Sequence, residues 1–323
     1  MSARTITAGK KGAGRKVGLV ELGKGEPLVY LHGFADLHAV RPRPFPFHEA
    51  IARGRRLIAP AHPGCSFSDE YPDLMTVDDA VFAHLENFDA LGLDRFDLVG
   101  HCVGGWIAAE IAVRHPERVK SLTLIGATGL FVPDALIGDV FMAAQPARGV
   151  EYADLRAMLF FRADHPLALD MFPDGRGDID DEVRRYQMLR FSSFIGFKPP
   201  YFYHRALINR LHRINCPALV IAGEKDGMVP RAISQAYAAG IRKAKPLAVI
   251  RGAGHAAHLE AADEVAKLVN RFLGKGANAK AAAAKKKASK KKAPAGKGSA
   301  AARQKTKKTP ARKPAAKRRS PRR

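Results

Sequence analysis

Short apolar runs recur along the first 270 or so residues, and polar stretches of helical period separate most of them. Val17 to Leu22 (VGLVEL) and Pro27 to Leu31 (PLVYL) flank Gly23-Lys24-Gly25, which predicts two strands joined as a hairpin. A proline-rich loop, a short helix near Phe47 to Arg53 and a strand at Arg56 to Ala59 come next. Thr76, with Asp79 three residues on, is placed to cap a helix whose apolar face is Ala80, Val81, Leu85, Phe88 and Leu91, and Gly92 ends it. Phe96 to Val99 and Val119 to Ile125 predict strands on either side of a helix at Trp106 to Val113. The pattern closes with a strand at Ala218 to Ala222, a helix near Ala232 to Ala239, a strand at Leu247 to Ile250 and a helix from Glu260 to Phe272. Apolar strands alternating with helices predict an α/β chain whose mostly parallel central sheet is covered on both faces.

That rhythm lapses from about Gly129 to Leu211. The stretch is rich in aromatic residues, among them Phe131, Phe160, Phe172, Phe191 and Tyr201, with helical pieces such as Asp180 to Leu189. It reads as a helical cap, 129–211, inserted into a core made of 17–128 and 212–274.

The stretch Gly100-His101-Cys102-Val103-Gly104-Gly105 stands between a strand and a helix. It has the form of the nucleophile elbow G-x-S-x-G with cysteine in the place of serine. Small residues two positions before and after the apex allow a sharp turn, and the helix that follows directs its positive end at Cys102. Two more strand ends carry matching chemistry: Asp226, in Gly223-Glu224-Lys225-Asp226, and His255, in Gly252-Ala253-Gly254-His255. Reactive groups collect at the carboxyl ends of strands in open α/β sheets. The expected roles are Cys102 as nucleophile, His255 as base and acid, and Asp226 as the group that orients the imidazole. Asp134 is a second candidate for the acid. Val103 N–H and Phe34 N–H are the expected oxyanion donors, and His101, Phe131 and Met228 are candidates for lining the substrate pocket. His32 and His62 are expected to brace their loops, Trp106 to be core, and Cys216 to be buried and inert.

Charge changes the picture at the ends. Residues 275–323 hold 20 Lys and Arg and no acidic residue, leaving 34 basic against 31 acidic for the rest of the chain. This Lys/Ala/Pro-rich tail is expected to be disordered and to engage a polyanion (nucleic acid, an anionic surface or a granule) through charge alone, with no aromatic residue to stack on bases. Residues 1–16, with Arg4, Lys10, Lys11, Arg15 and Lys16, read as a basic flexible arm. Three cysteines form no disulfide framework, no secretory segment follows Met1, and no stretch suits a bilayer, so a cytoplasmic chain is expected. The histidines show no metal-ligand spacing, and neither a metal nor a cofactor is expected.

The chain resembles the capped α/β-hydrolase superfamily from about Val17 to Phe272. The marks are His32-Gly33-Phe34, His62-Pro63-Gly64 with Ser68-Asp69, the elbow, Gly223-Glu224-Lys225-Asp226 with Val229-Pro230, and Gly252-Ala253-Gly254-His255 with His258-Leu259-Glu260. Carbon–carbon bond hydrolases and esterases with a helical cap are the group it is most similar to. Its cysteine elbow is similar to that of dienelactone hydrolases and of polyhydroxyalkanoate synthases and depolymerases. Ala61 stands where relatives often have Asp. The resemblance implies an α/β-hydrolase fold and cleavage of an ester, thioester or activated C–C bond of a small acyl substrate. Acyl transfer on the same triad is one alternative. A nucleic-acid-associated protein with a vestigial hydrolase fold, acting through its tail, is another.

Overall fold

The computed structural model describes residues 2–9, 14–33, 36, 43–145, 152–175, 178–196 and 201–274. The basic tail at 275–323, Lys10, Lys11 and Phe34 lie outside the described residues. An eight-stranded sheet runs in the order β1-β2-β4-β3-β5-β6-β7-β8. Its strands are β1 (Ser2–Ala8), β2 (Arg15–Leu22), β3 (Glu26–Leu31), β4 (Arg55–Pro60), β5 (Phe96–His101), β6 (Val119–Ile125), β7 (Ala218–Gly223) and β8 (Ala248–Ile250). β2 pairs antiparallel with β1 and β4, and the pairings from β4 through β8 are parallel. The continuous apolar runs follow from this arrangement. β5 and β7 are buried almost throughout, as strands covered on two faces must be.

Helices α1 (Pro46–Ile51), α2 (Val77–Ala90) and α3 (Cys102–Arg114) connect the first strands. Thr76 and Asp79 form the expected capping box on α2, each side chain meeting the other's backbone N–H. Between β6 and β7 run α4 (Val140–Ala143), α5 (Ala153–Leu159), α6 (Pro166–Met171), α7 (Ile179–Gly196) and α8 (Leu207–Arg210). After β7 come α9 (Arg231–Gly240), α10 (Ala257–Glu260) and α11 (262–274).

Three expectations are corrected. β2 and β3 do not form a hairpin with each other, because β4 lies between them in the sheet. The hairpin is β1–β2, with Ser2 opposite Glu21 and Ala8 opposite Arg15. Residues 1–16 are therefore not a flexible arm along their whole length. Thr5, Ile6 and Thr7 favour a strand, and the charges around them find acids. Glu21 holds Arg4 and Arg56 at 2.6 Å each, and burial, which alone would raise its pKa, is outweighed by those two guanidiniums. Arg15 pairs with Glu86 and lies 3.8 Å from the ring centre of Tyr71. The closing helix is also broken, at Ala261. There Glu260 is drawn into loop contacts, accepting from Gly254 N–H at 2.7 Å and Arg162 N–H at 3.1 Å.

Candidate active site

β5 occupies the middle of the sheet, paired with β3 and β6, and its carboxyl end delivers Cys102 into the first turn of α3. The apex is strained. Cys102 has a φ of 53°, a region that costs a side-chain-bearing residue of order 1–3 kcal/mol and is found where function holds it in place. The flanking glycines permit the turn. A Cβ at Gly100 would lie 2.4 Å from the Gly104 carbonyl oxygen, and one at Gly104 would lie 2.3 Å from that of Leu31. α3 runs 13 residues, so its first N–H groups, Val103 among them, have no partner four residues back and turn their positive end toward the sulfur.

β7 and β8 supply the other two groups. Asp226 follows β7 in a turn that its own carboxylate closes, Oδ1 accepting from Met228 N–H at 3.0 Å and Val229 N–H at 2.7 Å. It also meets His255 Nδ1, 3.1 Å from Oδ1 and 2.9 Å from Oδ2. This one side chain thus both closes its own turn and pairs with the histidine. Asp134, the other candidate acid, is not the carboxylate that meets His255 Nδ1. His255 is completely buried at its side chain. Burial alone would lower its pKa, but the Asp226 carboxylate and then Cys102 push it up to about 10. Nε2 makes no closed hydrogen bond among the described residues. The sequence reading missed Gly126, at the end of β6. With a φ of 50°, its absent Cβ would stand 3.1 Å from His255 Nδ1 and 3.2 Å from Asp226 Oδ2.

The pocket candidates separate. Met228 is buried with its sulfur 4.0 Å from Cys102 Sγ. His101 is buried, its Nε2 3.1 Å from the His255 carbonyl oxygen. Phe131 lines an apolar cavity of about 420 Å³ with Leu136, Ile137, Tyr201 and Tyr203; Cys102 and His255 are not among its walls. Gly138, also in that wall, donates to the Met228 carbonyl at 2.8 Å, so the wall is bonded to the backbone of a residue that touches the sulfur. Phe34, the expected second oxyanion donor, lies outside the described residues.

The supporting histidines form a hydrogen-bonded chain. His32 Nε2 accepts from His62 N–H at 2.9 Å, His62 Nε2 meets the His32 carbonyl at 2.8 Å, and His62 Nδ1 meets His84 Nε2 at 2.7 Å. Burial, aided by His32, pulls His84 down to about 3. These rings brace the loops after β3 and β4. Trp106 is core, its indole N–H 3.4 Å from Glu110. Cys65 and Cys216 are buried, which raises both thiols, Cys216 to about 11. From the insertion, Leu159 presents its carbonyl to Ala256 N–H at 2.9 Å, just past the histidine.

Comparison with known proteins agrees with this layout. Residues 26–262 match the model of the α/β-hydrolase fold family. The chain is 31% identical over 283 residues to 2-hydroxymuconate semialdehyde hydrolase of Pseudomonas sp. (strain CF600), covering 81% of this chain and 91% of that protein. It is 28% identical over 296 residues to 2-hydroxy-6-oxo-6-phenylhexa-2,4-dienoate hydrolase of Burkholderia cepacia, covering 85% and 97%. Two solved structures share the fold. A meta-cleavage product hydrolase from Pseudomonas fluorescens IP01 has a TM-score of 0.63 at 23% identity over 84% of this chain and 97% of its own. A thermophilic esterase from Thermogutta terrifontis has a TM-score of 0.64 at 20% identity over 85% and 99%. Among the described residues no helix is long and apolar enough to cross a membrane. The chain belongs to the α/β-hydrolase family and is a hydrolase of that type, close in sequence to 2-hydroxymuconate semialdehyde hydrolase.

Proposed function

We propose that the protein hydrolyses an activated C–C, ester or thioester bond of a small, largely apolar acyl substrate through a covalent thioester on Cys102. The observation that carries this reading is the buried His255–Asp226 pair, charged by its neighbours, set beside a cysteine held in a left-handed conformation. Cys102 Sγ attacks the acyl carbon and its electron pair forms the C–S bond. The developing oxyanion takes hydrogen bonds from Val103 N–H and, in this reading, from residue 34 N–H. His255 passes the proton on Nε2 to the leaving carbon, oxygen or sulfur as that bond breaks. Water then enters. Nε2 takes its proton, hydroxide adds to the thioester carbonyl, and collapse expels the thiolate and releases the acid. Asp226 holds Nδ1–H throughout and so fixes which nitrogen does the chemistry.

The sequence likeness to 2-hydroxymuconate semialdehyde hydrolase supports the C–C bond as the first substrate class to try. The helices between β6 and β7 act in this reading as the cap over the substrate. The tail at 275–323, outside the described residues, holds the enzyme on a polyanion by charge, which predicts binding that weakens steeply with salt.

The test is a panel of 2-hydroxy-6-oxo-2,4-dienoates, p-nitrophenyl esters and acyl thioesters, with mass analysis of quenched enzyme. Turnover with an acyl mass on the Cys102 peptide, and selective alkylation of Cys102 by iodoacetamide near neutral pH, are expected. An adduct elsewhere, or unchanged turnover in Cys102→Ala, overturns the reading.

A further inference from the structure

Next to His255 and outside the pair it makes with Asp226, three side chains from remote parts of the chain meet in a fully buried cluster. They are Asp36 from the loop after β3, His101 from the end of β5 and His258 from α10. One donor atom from each lies within 4.8 Å of the others. The geometry points to a divalent metal site formed by Asp36, His101 and His258, suited to zinc, which ties Asp36 to the end of β5 and to α10.

Four observations support it. First, Asp36 Oδ2 and His258 Nε2 stand 3.4 Å apart. That is long for a hydrogen bond, and close to the about 3.3 Å that separates two ligands on one tetrahedral ion with bonds near 2.0–2.1 Å. Second, both His258 nitrogens lack a hydrogen-bond partner among the described residues, although the ring is wholly buried. Such a group costs stability unless something pairs with it. Third, His101 Nε2 meets a carbonyl oxygen, that of His255, at 3.1 Å. A carbonyl only accepts, so Nε2 carries the proton and Nδ1 offers a lone pair. That Nδ1 is likewise buried without a partner among the described residues. Fourth, the outer contacts are those that orient ligands. A ligating histidine typically gives its other N–H to a carbonyl, and a ligating carboxylate is itself hydrogen-bonded. Tyr30 hydroxyl donates to Asp36 Oδ2 at 2.5 Å.

Two nitrogens and an oxygen suit a borderline ion, and three protein ligands leave one position of a tetrahedral zinc for a small molecule. The spacing along the chain gave no sign of the site, since 65 and 157 residues separate the three ligands.

The test uses the full chain, stripped with a chelator and then titrated with Zn²⁺ or Co²⁺. Metal retained after gel filtration is measured by mass spectrometry, and Co²⁺ by its visible absorption. One equivalent is expected in wild type and in Cys102→Ser. Binding at least tenfold weaker is expected in Asp36→Asn and in His258→Gln, each checked for native circular dichroism. Zn²⁺ is expected to raise the unfolding midpoint of wild type and not of those variants. Less than half an equivalent in wild type, or binding undiminished in both variants, overturns the proposal and leaves Asp36 and His258 as a buried ion pair. Loss of binding in Cys102→Ser also overturns it, by placing the ion on the catalytic sulfur. None of these readouts uses turnover, so the site can fail while the thioester mechanism stands, and the reverse.

Discussion

The β5–α3 unit and the insertion between β6 and β7 use apolar side chains in opposite ways. From Cys102 to Val113 every residue of α3 is buried, and β5 is sealed between β3 and β6. The insertion leaves large apolar groups in water: Leu136 is 83% exposed, Ile179 79%, Met142 69% and Tyr186 66%. Only three of the large apolar groups exposed in the described residues (Phe67, Met75 and Phe82) fall outside 129–211. A platform that must hold a strained cysteine gains from close packing. A segment that covers substrate, the role proposed for the insertion, needs apolar surface that is not already spent on the core.

The contrast can be broken by experiment. Cys102→Ala should lower turnover on the order of 10⁴-fold or more while the unfolding midpoint stays near that of wild type; a large loss of stability would mean the thiol is packing rather than chemistry. Trp106→Ala, within the platform, should lower unfolding free energy by about 3–5 kcal/mol in urea titration. Gly126→Ala should cut kcat roughly 100-fold with KM little changed, because the new methyl crowds both Nδ1 and the carboxylate. Stability should also respond to pH. His255 titrates near 10 when folded against an ordinary 6.5, so the native state binds the extra proton. Its contribution is present in full below about 6.5 and is lost as pH rises through about 10. Melting curves of wild type should therefore fall across that window more steeply than those of Asp226→Asn. Smallest of all, Tyr186→Ala in the insertion should change stability by about 0.5 kcal/mol or less. An effect on KM there with none on folding would sharpen the contrast, and a cost equal to that of Trp106→Ala would end it.

What the sequence made legible follows from local physics. The apolar runs of β5 to β7, the Thr76–Asp79 capping box and the glycines around Cys102 each reflect forces acting within a few residues. Asp226 and His255 could be placed because strand ends gather reactive groups, and the structure brings them to hydrogen-bonding distance. What stayed hidden depends on partners remote along the chain. Nothing in β2 or β3 announces that β4 will come between them. The charges of the first strand suggested an unfolded arm until Glu21 and Glu86 supplied their counterions. Gly126 carries no signal of its own, since its importance lies in what a side chain there would strike.

The backbone bond from Ala256 to the Leu159 carbonyl constrains how this enzyme can be redesigned. Because Gly254 also packs directly beneath the main chain of Phe160 and Phe161, the stretch around 159–161 belongs mechanically to the histidine's own loop. A chimera that exchanges the insertion for a homologue's should keep that splice intact and swap only what lies to either side. Grafts that cut through it would unseat His255 before any new specificity could be measured.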